Sequence, residues 1–400
     1  QEINMSQLDG SIKLLFFTSS LGGGGAEMHL LRILNHLDRN RFQLSLALAQ
    51  AGGAYESRLA KDVALHHLNT GAIASSTLRM MRAIVPLRRL IQREQPDVVC
   101  SVLDHANLAA LIATQGLAAR PTVVLNVENT LSAQYRYQRS MHPTNWLLRS
   151  LIPILYPKAD HIIAASQGVA HDLKYLVPSV SDRISVIYRA CVDQQVQQSA
   201  AQPLPHGLPV SRPLIVACGR LTEQKGFLSL LDTFAIVRQS IPASLWIIGE
   251  GPQRAQLEAR IQNLKLTDCV SLLGFQANPY ALMQAADLFV LSSRYEGFGI
   301  VIVEAMACGT PVIAVDCPSG PSEIISHGVN GLLVPPDDRQ ALASSIVNLL
   351  NNSAQQAQLA IAGRQRAQNF HSQTIAATYG QLFRAMVPVA ERSPVSLQPS

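Results

Sequence analysis

The sequence predicts an α/β protein made of two doubly wound units that face each other across a cleft. Short β-branched runs alternate with longer amphipathic stretches, a pattern typical of parallel sheets covered by helices on both faces. The 400 residues also exceed the ~250–300 at which one hydrophobic core stops growing. The alternation breaks at 191–212, which predicts a linker between a first domain, 1–190, and a second domain, 213–372. Residues 387–400 are expected to form a tail.

The first domain opens with a strand at 12–17, a glycine-rich turn and a helix near 27–37 with apolar residues at helical spacing. We predict its further strands at 43–48, 98–102, 122–127, 161–164 and 184–187, and its helices near 75–94, 105–118, 145–156 and 167–176. The second domain repeats the alternation. We predict its strands at 214–218, 245–248, 270–273, 288–291, 312–315 and 332–334, and helices near 226–240, 253–264, 279–285, 299–307, 338–351, 354–369 and 373–386.

The net charge of +5 belongs to the first half of the chain. Residues 1–205 hold 19 Lys and Arg against 14 Asp and Glu, whereas residues 206–400 hold 13 of each. This surplus is small for a nucleic-acid-binding protein, so we expect no nucleic-acid partner. The longest apolar runs also fall short of the ~20 residues that a membrane span needs.

The composition favours a cytoplasmic location. The six cysteines, at positions 100, 191, 218, 269, 308 and 317, form no C-x-x-C pair and no Cys/His spacing suited to zinc. We therefore expect reduced, mostly buried thiols and no metal site. The first residues lack a basic start followed by an apolar run, so we expect no secretory signal.

Open parallel sheets bind ligands beyond the carboxyl ends of their strands, and glycines follow the first predicted strand. Gly22 to Gly25 allow close approach of a ligand, and the following helix presents free N–H groups to an anion. The loop matches neither the P-loop nor G-x-G-x-x-G, since position 27 is Glu. A tight turn without a ligand is equally compatible with these glycines.

Two cations, Arg220 and Lys225, follow the first strand of the second domain and lie beside a helix N-terminus. Cations oppose the helix dipole there, so their position indicates a bound diphosphate. Surface cations that aid solubility are the alternative.

Two carboxylates, Glu296 and Glu304, bracket the turn Gly297-Phe298-Gly299 that opens a helix. Glu304 lies within an apolar sequence, where an unpartnered carboxylate costs several kcal/mol, and ligand hydroxyls would satisfy it. Farther along, the Pro- and Gly-rich run 315–325 predicts a rigid turn, with Glu323 entering a short helix.

Together these motifs resemble the donor-binding domain of retaining, GT-B-type glycosyltransferases of family 4. The matching motifs are G-R-L-x-x-x-K-G at 219–226, G-x-G-P at 249–252, the E-x7-E pair 296/304, A-x-x-C-G-T-P-V-I at 305–313 and G-x-x-G-L-L-V-P-P-D at 328–337. The resemblance implies a GT-B fold of two Rossmann-like domains. It also implies transfer of a hexose or N-acetylhexosamine from a UDP-sugar to a hydroxyl of a glycan, lipid-linked or small-molecule acceptor, with retention. Because the sequence has no D-x-D and two cations can neutralise the diphosphate, we expect neither metal nor another cofactor.

The resemblance also implies roles for single residues. Arg220 and Lys225 would hold the diphosphate, assisted by Gly24 and Gly25 from the first domain, which takes the acceptor. Glu304 would accept the ribose hydroxyls. The donor sugar, distal phosphate and nucleobase would contact Glu296, Gly297, Phe298, Gly299, Ile300, Gly249, Gly274 and Phe275. The helix at 373–386 would cross back onto the first domain.

The chain departs from the family pattern at two places. Many members carry a catalytic-site His where this sequence has Glu128-Asn129-Thr130, so Glu128 or Asn129 is expected to contact the donor sugar. His105 either faces the acceptor cleft or caps a helix together with Asp104. The second departure is the run 188–193, which replaces the usual Asn-Pro before the linker.

Three other interpretations remain open. A phosphorylase or hydrolase on this scaffold is one, and a non-catalytic nucleotide-sugar-binding protein is another. A dehydrogenase fits less well, because neither half carries G-x-G-x-x-G with a later acidic residue. The amphipathic stretches 79–93 and 146–152 are compatible both with core helices and with peripheral contact at the inner face of an anionic membrane.

Overall fold

Two parallel β-sheets organise the chain, in a computed structural model that describes residues 11–71, 76–137, 143–205, 208 and 212–387. The first sheet contains β1 (Ile12–Thr18), β2 (Phe42–Leu48), β3 (Ala64–His67), β4 (Val98–Val102), β5 (Thr122–Val127), β6 (His161–Ala164) and β7 (Ile184–Val186). Its strand order is β3-β2-β1-β4-β5-β6-β7. The order reverses between β1 and β4, and such switch points are where doubly wound sheets bind ligands.

The second sheet has the same plan. It contains β8 (Leu214–Cys218), β9 (Ser244–Ile248), β10 (Val270–Gly274), β11 (Leu288–Leu291), β12 (Val312–Val315) and β13 (Leu332–Val334). Its order is β10-β9-β8-β11-β12-β13, so its switch point lies between β8 and β11. The prediction of two doubly wound α/β units is confirmed.

Helices cover both faces of each sheet. Those of the first half and the connection are α1 (Gly25–His36), α2 (Ser76–Glu94), α3 (Asp104–Thr114), α4 (Leu131–Tyr137), α5 (Pro143–Leu155), α6 (Gln167–Leu176) and α7 (Gln194–Ala200). Those of the second half are α8 (Phe227–Val237), α9 (Arg254–Asn263), α10 (Pro279–Ala285), α11 (Ile300–Cys308), α12 (Pro321–Ile324), α13 (Arg339–Leu350), α14 (Ser353–Ala367) and α15 (Ser372–Met386).

The segment between the sheets is more ordered than its aperiodic sequence indicates. Helix α7 begins after Asp193, whose side chain accepts a hydrogen bond from the Val196 N–H at 3.0 Å. Val196 and Ala200, one turn apart, are buried, and α7 packs against α10 and α11. Two buried residues in a run of glutamines are too few to reveal a helix by periodicity.

Helix α15 packs onto the first sheet rather than the second. Its buried residues Tyr379 and Phe383 join the core around β1, β2 and α1, and the Phe383 ring lies 5.9 Å from that of Phe16. The last described helix therefore ties the end of the chain to its beginning.

The structure also bears on the expectations about the cysteines, membrane spans, linker and tail. Cys100, Cys191, Cys308 and Cys317 are buried free thiols, whereas Cys218 and Cys269 are half-buried free thiols. Among the described residues, no helix combines the length and apolarity needed to span a bilayer. Residues 206–207 and 209–211 of the predicted linker and 388–400 of the predicted tail lie outside the described residues.

Candidate active site

The carboxyl edges of the two sheets face each other, and loops from both meet there. The Thr130 hydroxyl, in the loop after β5, lies 2.9 Å from the Glu296 carbonyl oxygen and 2.9 Å from the Ser319 hydroxyl. The side chain of Gln224 reaches Asn129 at 3.5 Å. These contacts join the first domain to loops after β8, β11 and β12.

Gly297 is required for this approach. A Cβ on Gly297 would overlap the backbone carbonyl oxygen of Glu128. The turn of the E-x7-E motif therefore packs directly on the segment where the sequence departs from the family histidine, and any side chain at 297 would force the domains apart.

Lys225 and Glu296 form a close ion pair. The Lys225 Nζ lies 2.6 Å from Glu296 Oε1, and the Ser293 hydroxyl donates to the same oxygen at 2.6 Å. Glu296 is buried, with 5% of its surface exposed. The lysine that the resemblance assigns to a diphosphate therefore has a carboxylate partner of its own.

Arg220 is an exposed cation at this edge. It follows β8 and Gly219, and its side chain has no hydrogen bond or ion pair among the residues that the structure describes. Such a guanidinium can turn toward an anion without breaking an existing contact.

Glu304 is buried as expected, but it already has partners. Its Oε1 accepts hydrogen bonds from the Arg32 guanidinium at 3.1 Å and from the Tyr280 hydroxyl at 3.1 Å. The expectation that Glu304 lacks a protein partner was therefore wrong. Burial raises the pKa of Glu304, and the charge of Arg32 opposes that rise.

Arg32 is a site residue that the sequence did not reveal. It lies on α1, is 2% exposed, and also contacts Asp193 at 3.3 Å and the Ala190 carbonyl at 3.2 Å. In the sequence Arg32 is an ordinary arginine on a predicted helix. Its pairing with Glu304 follows only from the packing of α1 against the second domain.

The glycine loop after β1 is held by its own carboxylate. Glu27 Oε2 accepts hydrogen bonds from the N–H groups of Gly23 at 2.8 Å and Gly24 at 2.6 Å. The Tyr55 hydroxyl donates to the Gly23 carbonyl at 3.1 Å. The Gly24 N–H, expected to face an anionic ligand, thus binds Glu27, while Gly25 begins α1 beside the Ile300 side chain.

Glu128 is paired with a buried arginine. The Arg189 guanidinium lies 3.0 Å from Glu128 Oε1, and it donates to the Tyr379 hydroxyl at 3.0 Å and the Val127 carbonyl at 3.2 Å. Burial raises the pKa of Glu128, and the charge of Arg189 opposes that rise.

His29 lies 3.2 Å from the same arginine. Burial and the nearby arginines lower the pKa of His29, so this histidine is neutral near pH 7.

Asp104 and His105 do not act as the helix cap that the sequence suggested. The capping position of α3 is Leu103, and no side chain caps the helix there. Asp104 instead accepts a hydrogen bond from the Tyr156 hydroxyl at 3.2 Å, and burial raises its pKa to about 6. Burial lowers the pKa of His105.

Glu323 crosses between the domains and binds the start of α6. Its carboxylate accepts hydrogen bonds from the N–H groups of Gln167 at 2.7 Å and Gly168 at 2.9 Å. A carboxylate is favoured at a helix N-terminus, so this contact holds the second domain against the first. The sequence placed Glu323 in a short helix but gave no sign of this partner.

Two family models match successive parts of the chain. Glycosyltransferase Family 4 matches residues 23–194, and Glycosyl transferases group 1 matches residues 200–366. The chain is a GT-B glycosyltransferase of family 4. The resemblance found in the sequence is confirmed.

Relatives of this family 4 glycosyltransferase include a Campylobacter jejuni protein named N-acetylgalactosamine-N,N'-diacetylbacillosaminyl-diphospho-undecaprenol 4-alpha-N-acetylgalactosaminyltransferase. It is 28% identical over 344 residues, which are 85% of this chain and 90% of the relative. The crystal structure of Anabaena Alr3699/HepE in complex with UDP and glucose is 25% identical, with a TM-score of 0.74 over 93% of this chain and 99% of that one. Sucrose-phosphate synthase from Thermosynechococcus elongatus shares the fold, with a TM-score of 0.81 at 21% identity over 94% of this chain and 99% of that one.

The remaining predicted residues of the glycosyltransferase line the same edge of the second sheet. Gly249 and Gly274 follow β9 and end β10, and the Gly249 N–H donates to the Gly274 carbonyl at 2.8 Å. Phe275 is 48% exposed and approaches Gly23. Gly299 and Ile300 begin α11, whereas Phe298 is buried against Tyr188 and Phe370. The Phe298 ring therefore serves packing, and only its backbone is placed to meet a ligand.

Proposed function

We propose that this glycosyltransferase moves a hexose or N-acetylhexosamine from a UDP-sugar to a hydroxyl of a glycan or lipid-linked acceptor, with retention at the anomeric carbon. The observation that carries the proposal is the position of two cations and a buried carboxylate beyond the carboxyl end of β8. Lys225 pairs with the buried Glu296 at 2.6 Å. Arg220 is exposed and lies two residues after Cys218, the last residue of β8.

The cations lie where the reaction generates negative charge. Transfer breaks the bond between the anomeric carbon and the diphosphate oxygen, and charge collects on the departing UDP. The planar guanidinium of Arg220 has no competing partner in the described part of the chain, and the ammonium of Lys225 is shared with Glu296. Fixed cations of this kind stabilise the transition state electrostatically.

Glu304 is suited to accept the ribose hydroxyls. Its hydrogen bonds within the described residues use Oε1, which leaves Oε2 for the ligand. Arg32 and Tyr280 then fix the direction in which Oε2 points. Ribose recognition in this proposal therefore depends on both domains.

The proposed reaction follows a front-face route without a metal. The acceptor oxygen bonds to the anomeric carbon, the bond to the β-phosphate breaks, and the acceptor proton passes to the departing phosphate oxygen. Glu296 is a poor candidate for a covalent nucleophile, because the ion pair with Lys225 and the hydrogen bond from Ser293 lower the nucleophilicity of its carboxylate. Arg220 and Lys225 take the charge-neutralising part that a divalent ion would otherwise play.

The relatives support a UDP-linked donor and a lipid-linked acceptor. The Campylobacter jejuni relative is named for an α-linked transfer onto a diphospho-undecaprenol-linked sugar, and the Anabaena structure contains UDP and glucose. We extend these classes, but no particular sugar, to this chain. The proposed role of the first domain is to hold the acceptor, and that of the second is to hold the donor.

The test incubates the purified protein with a glycan or lipid-linked hydroxyl acceptor and UDP-glucose, UDP-N-acetylglucosamine or UDP-N-acetylgalactosamine, and measures UDP release with and without EDTA. We expect release with at least one donor, unaffected by EDTA, and loss of release in Lys225→Met. NMR of the product is expected to show the anomeric configuration of the donor. An inverted product, a glycosyl adduct on Glu296 or a strict metal requirement would contradict the corresponding part of the proposal.

A further inference from the structure

The two segments at which the sequence departs from the family pattern meet inside the first domain. Glu128 opens the first of these segments, and Arg189 lies in the second, 188–193. The Arg189 guanidinium lies 3.0 Å from the Glu128 carboxylate, and the two side chains are 1% and 6% exposed. A buried charge without a partner strongly destabilises a fold, so each of these residues depends on the other.

The Arg189 guanidinium is held in one orientation by contacts with β5, α15 and α1. It donates to the Val127 carbonyl on β5 at 3.2 Å and to the Tyr379 hydroxyl on α15 at 3.0 Å. His29 on α1 supports the same hydroxyl. The Ala190 N–H donates to His29 Nδ1 at 3.0 Å, so the neutral ring carries its proton on Nε2 and donates it to Tyr379 at 3.1 Å. The guanidinium therefore cannot turn away from its carboxylate partner without breaking these contacts.

The Glu128 carboxylate keeps an unused hydrogen-bond acceptor. Its Oε1 is buried, and within the described residues no N–H or O–H group donates a hydrogen bond to it in suitable geometry, although the charge of Arg189 is close. Buried carboxylate oxygens normally accept hydrogen bonds, so this acceptor suits a hydroxyl group of a ligand. Asn129, the alternative sugar contact, instead faces the Gln224 side chain of the second domain at 3.5 Å.

Glu128 lies beside the turn proposed to bind the donor sugar and its distal phosphate. The Glu128 carbonyl oxygen occupies the space that a Cβ on Gly297 would need, and that turn leads into α11 at Gly299. Glu128 also follows β5, which pairs with β4 at the switch point of the first sheet. Its charge contributes to the raised pKa of Asp104, which follows β4. The carboxylate is therefore placed at the edge of the first sheet that faces the donor-binding turn.

We propose that Arg189 is a positioning residue that holds the Glu128 carboxylate in place to accept hydrogen bonds from hydroxyl groups of the donor sugar. This role rests on the proposed transfer from a UDP-sugar, and it assigns the sugar contact of the first domain to Glu128 instead of Asn129. Arg189 itself touches no ligand, because its side chain is 1% exposed. Its charge opposes the rise in the pKa of Glu128 that burial causes, so the carboxylate stays ionised and accepts strong hydrogen bonds.

The first test measures kcat/KM for the donor across the acidic and neutral range, with the UDP-sugar and acceptor that the wild type uses. Glu128→Gln is expected to lower kcat/KM by about tenfold, because a neutral amide accepts more weakly than a carboxylate. Its affinity for UDP, which lacks the sugar, should equal that of the wild type. Arg189→Met should move the acidic limb of the profile to higher pH, because a buried Glu128 without its cation binds a proton more tightly. Arg189→Lys should bring the limb back toward the wild-type position, because it returns a cation.

The second test follows the ionisation of Glu128 without any substrate, by infrared pH-difference spectra. Arg189→Met should show the carbonyl band of a protonated carboxyl group at a higher pH than the wild type. This band should be missing in Glu128→Gln/Arg189→Met. Both variants keep the other titratable groups on the elements packed around this carboxylate, which are Cys100, Asp104, His29, Tyr379 and Glu296.

Tyr379→Phe is the matched control, because it removes a neighbour of Arg189 and leaves both charges. It should lower the urea midpoint while the acidic limb of kcat/KM stays at its wild-type position. An unchanged limb in Arg189→Met, wild-type kcat/KM in Glu128→Gln, or equal losses at every pH in all variants would overturn the positioning role. Should Arg189→Met fail to fold, Glu128→Gln and Arg189→Lys decide by the same profile. Absence of UDP release by the wild type with any donor would instead overturn the proposed transfer, and this role with it.

Discussion

The guanidinium of Arg32 lies 3.1 Å from the carboxylate of Glu304, so a buried ion pair joins α1 of the first domain to α11 of the second. The two side chains are 2% and 8% exposed. Tyr280 and Asp193 complete the contact around Arg32. The carboxylate proposed to bind ribose is therefore oriented by the opposite domain, and donor binding is coupled to the relative position of the domains.

Removal of Arg32 alone should destabilise the protein strongly. Arg32→Ala leaves Glu304 buried without its cation, a change that typically costs about 3–5 kcal/mol in the free energy of unfolding. Urea denaturation followed by circular dichroism measures it. Arg39→Ala is the control, since the side chains of Arg39 and Asp62 are 30% and 45% exposed and a solvent-accessible pair is worth less than about 1 kcal/mol. Equal losses in the two variants would show that the Arg32 pair is not the buried link described here.

Replacing both partners by apolar residues should separate stability from function. Arg32→Met/Glu304→Leu removes both charges, so we expect it to be more stable than Arg32→Ala. The same variant should lose UDP affinity, because no carboxylate remains for the ribose. Retention of UDP affinity by this double variant would contradict the role of Glu304.

Lys225 should be required for transfer, and circular dichroism checks that the variant folds, because the substitution leaves the buried Glu296 without its cation. Lys225→Met removes the cation that lies 2.6 Å from Glu296. Loss of one preorganised charge at the developing anion typically lowers the rate by about 100-fold or more. Steady-state UDP release measures it, and Lys174→Met, on the exposed face of α6, is the matched control. Full activity in Lys225→Met would exclude a role in charge stabilisation.

Glu323 should hold the domains together through α6. Glu323→Ala removes the acceptor of two backbone N–H groups at 2.7 and 2.9 Å. Because charged hydrogen bonds are each worth about 1.5–3 kcal/mol, we expect a more open average arrangement. Small-angle scattering should show a larger radius of gyration, and Glu258→Ala on the exposed face of α9 should not change it. An unchanged radius in Glu323→Ala would mean that other contacts suffice.

The contribution of Asp104 to stability should fall as the pH rises from about 4 to about 6. Burial raises the pKa of Asp104 from 3.8 to about 6, so the folded protein keeps a proton that the unfolded chain has already released in this range. Asp104→Asn should remove this contribution, so the urea midpoint of the variant should rise relative to that of the wild type as the pH increases between these values. Both proteins should keep the slopes of other groups, because burial also raises the pKa of Glu128 and Glu304 and lowers that of His29.

Asp182→Asn is the control for this titration, since its side chain is 83% exposed. Its urea midpoint should follow the wild type at every pH. An identical change of the urea midpoint between about pH 4 and about pH 6 in the wild type and in Asp104→Asn would contradict the assignment of a raised pKa to Asp104.

The sequence predicted the loops of the site because each motif is tied to the end of a strand. Lys225, Glu296 and the glycine loop follow β8, β11 and β1, so the rule that parallel sheets bind ligands at their carboxyl edges located them in advance. The strand β3 was missed because its residues, Ala64–His67, are partly exposed and lack alternation. Its position at the edge of the sheet gives it only one neighbour.

The partners across the cleft could not be predicted in the same way. Arg32, Thr130 and Glu323 act through residues far away in the sequence that belong to the other domain. Local spacing carries no information on how two domains meet, and each of these side chains has an ordinary local explanation. The position of Glu304 within an apolar sequence indicated that its carboxylate has a binding partner. The sequence did not show whether that partner is a ligand or an arginine.

Calorimetric titration with UDP tests the central claim most directly, because it needs neither acceptor nor membrane. The account predicts saturable binding to the wild type, at least about tenfold weaker binding to Lys225→Met and to Glu304→Leu, and wild-type binding to Lys174→Met. Absence of saturation in the folded wild type at millimolar UDP, or equal affinity in all four proteins, would contradict the account.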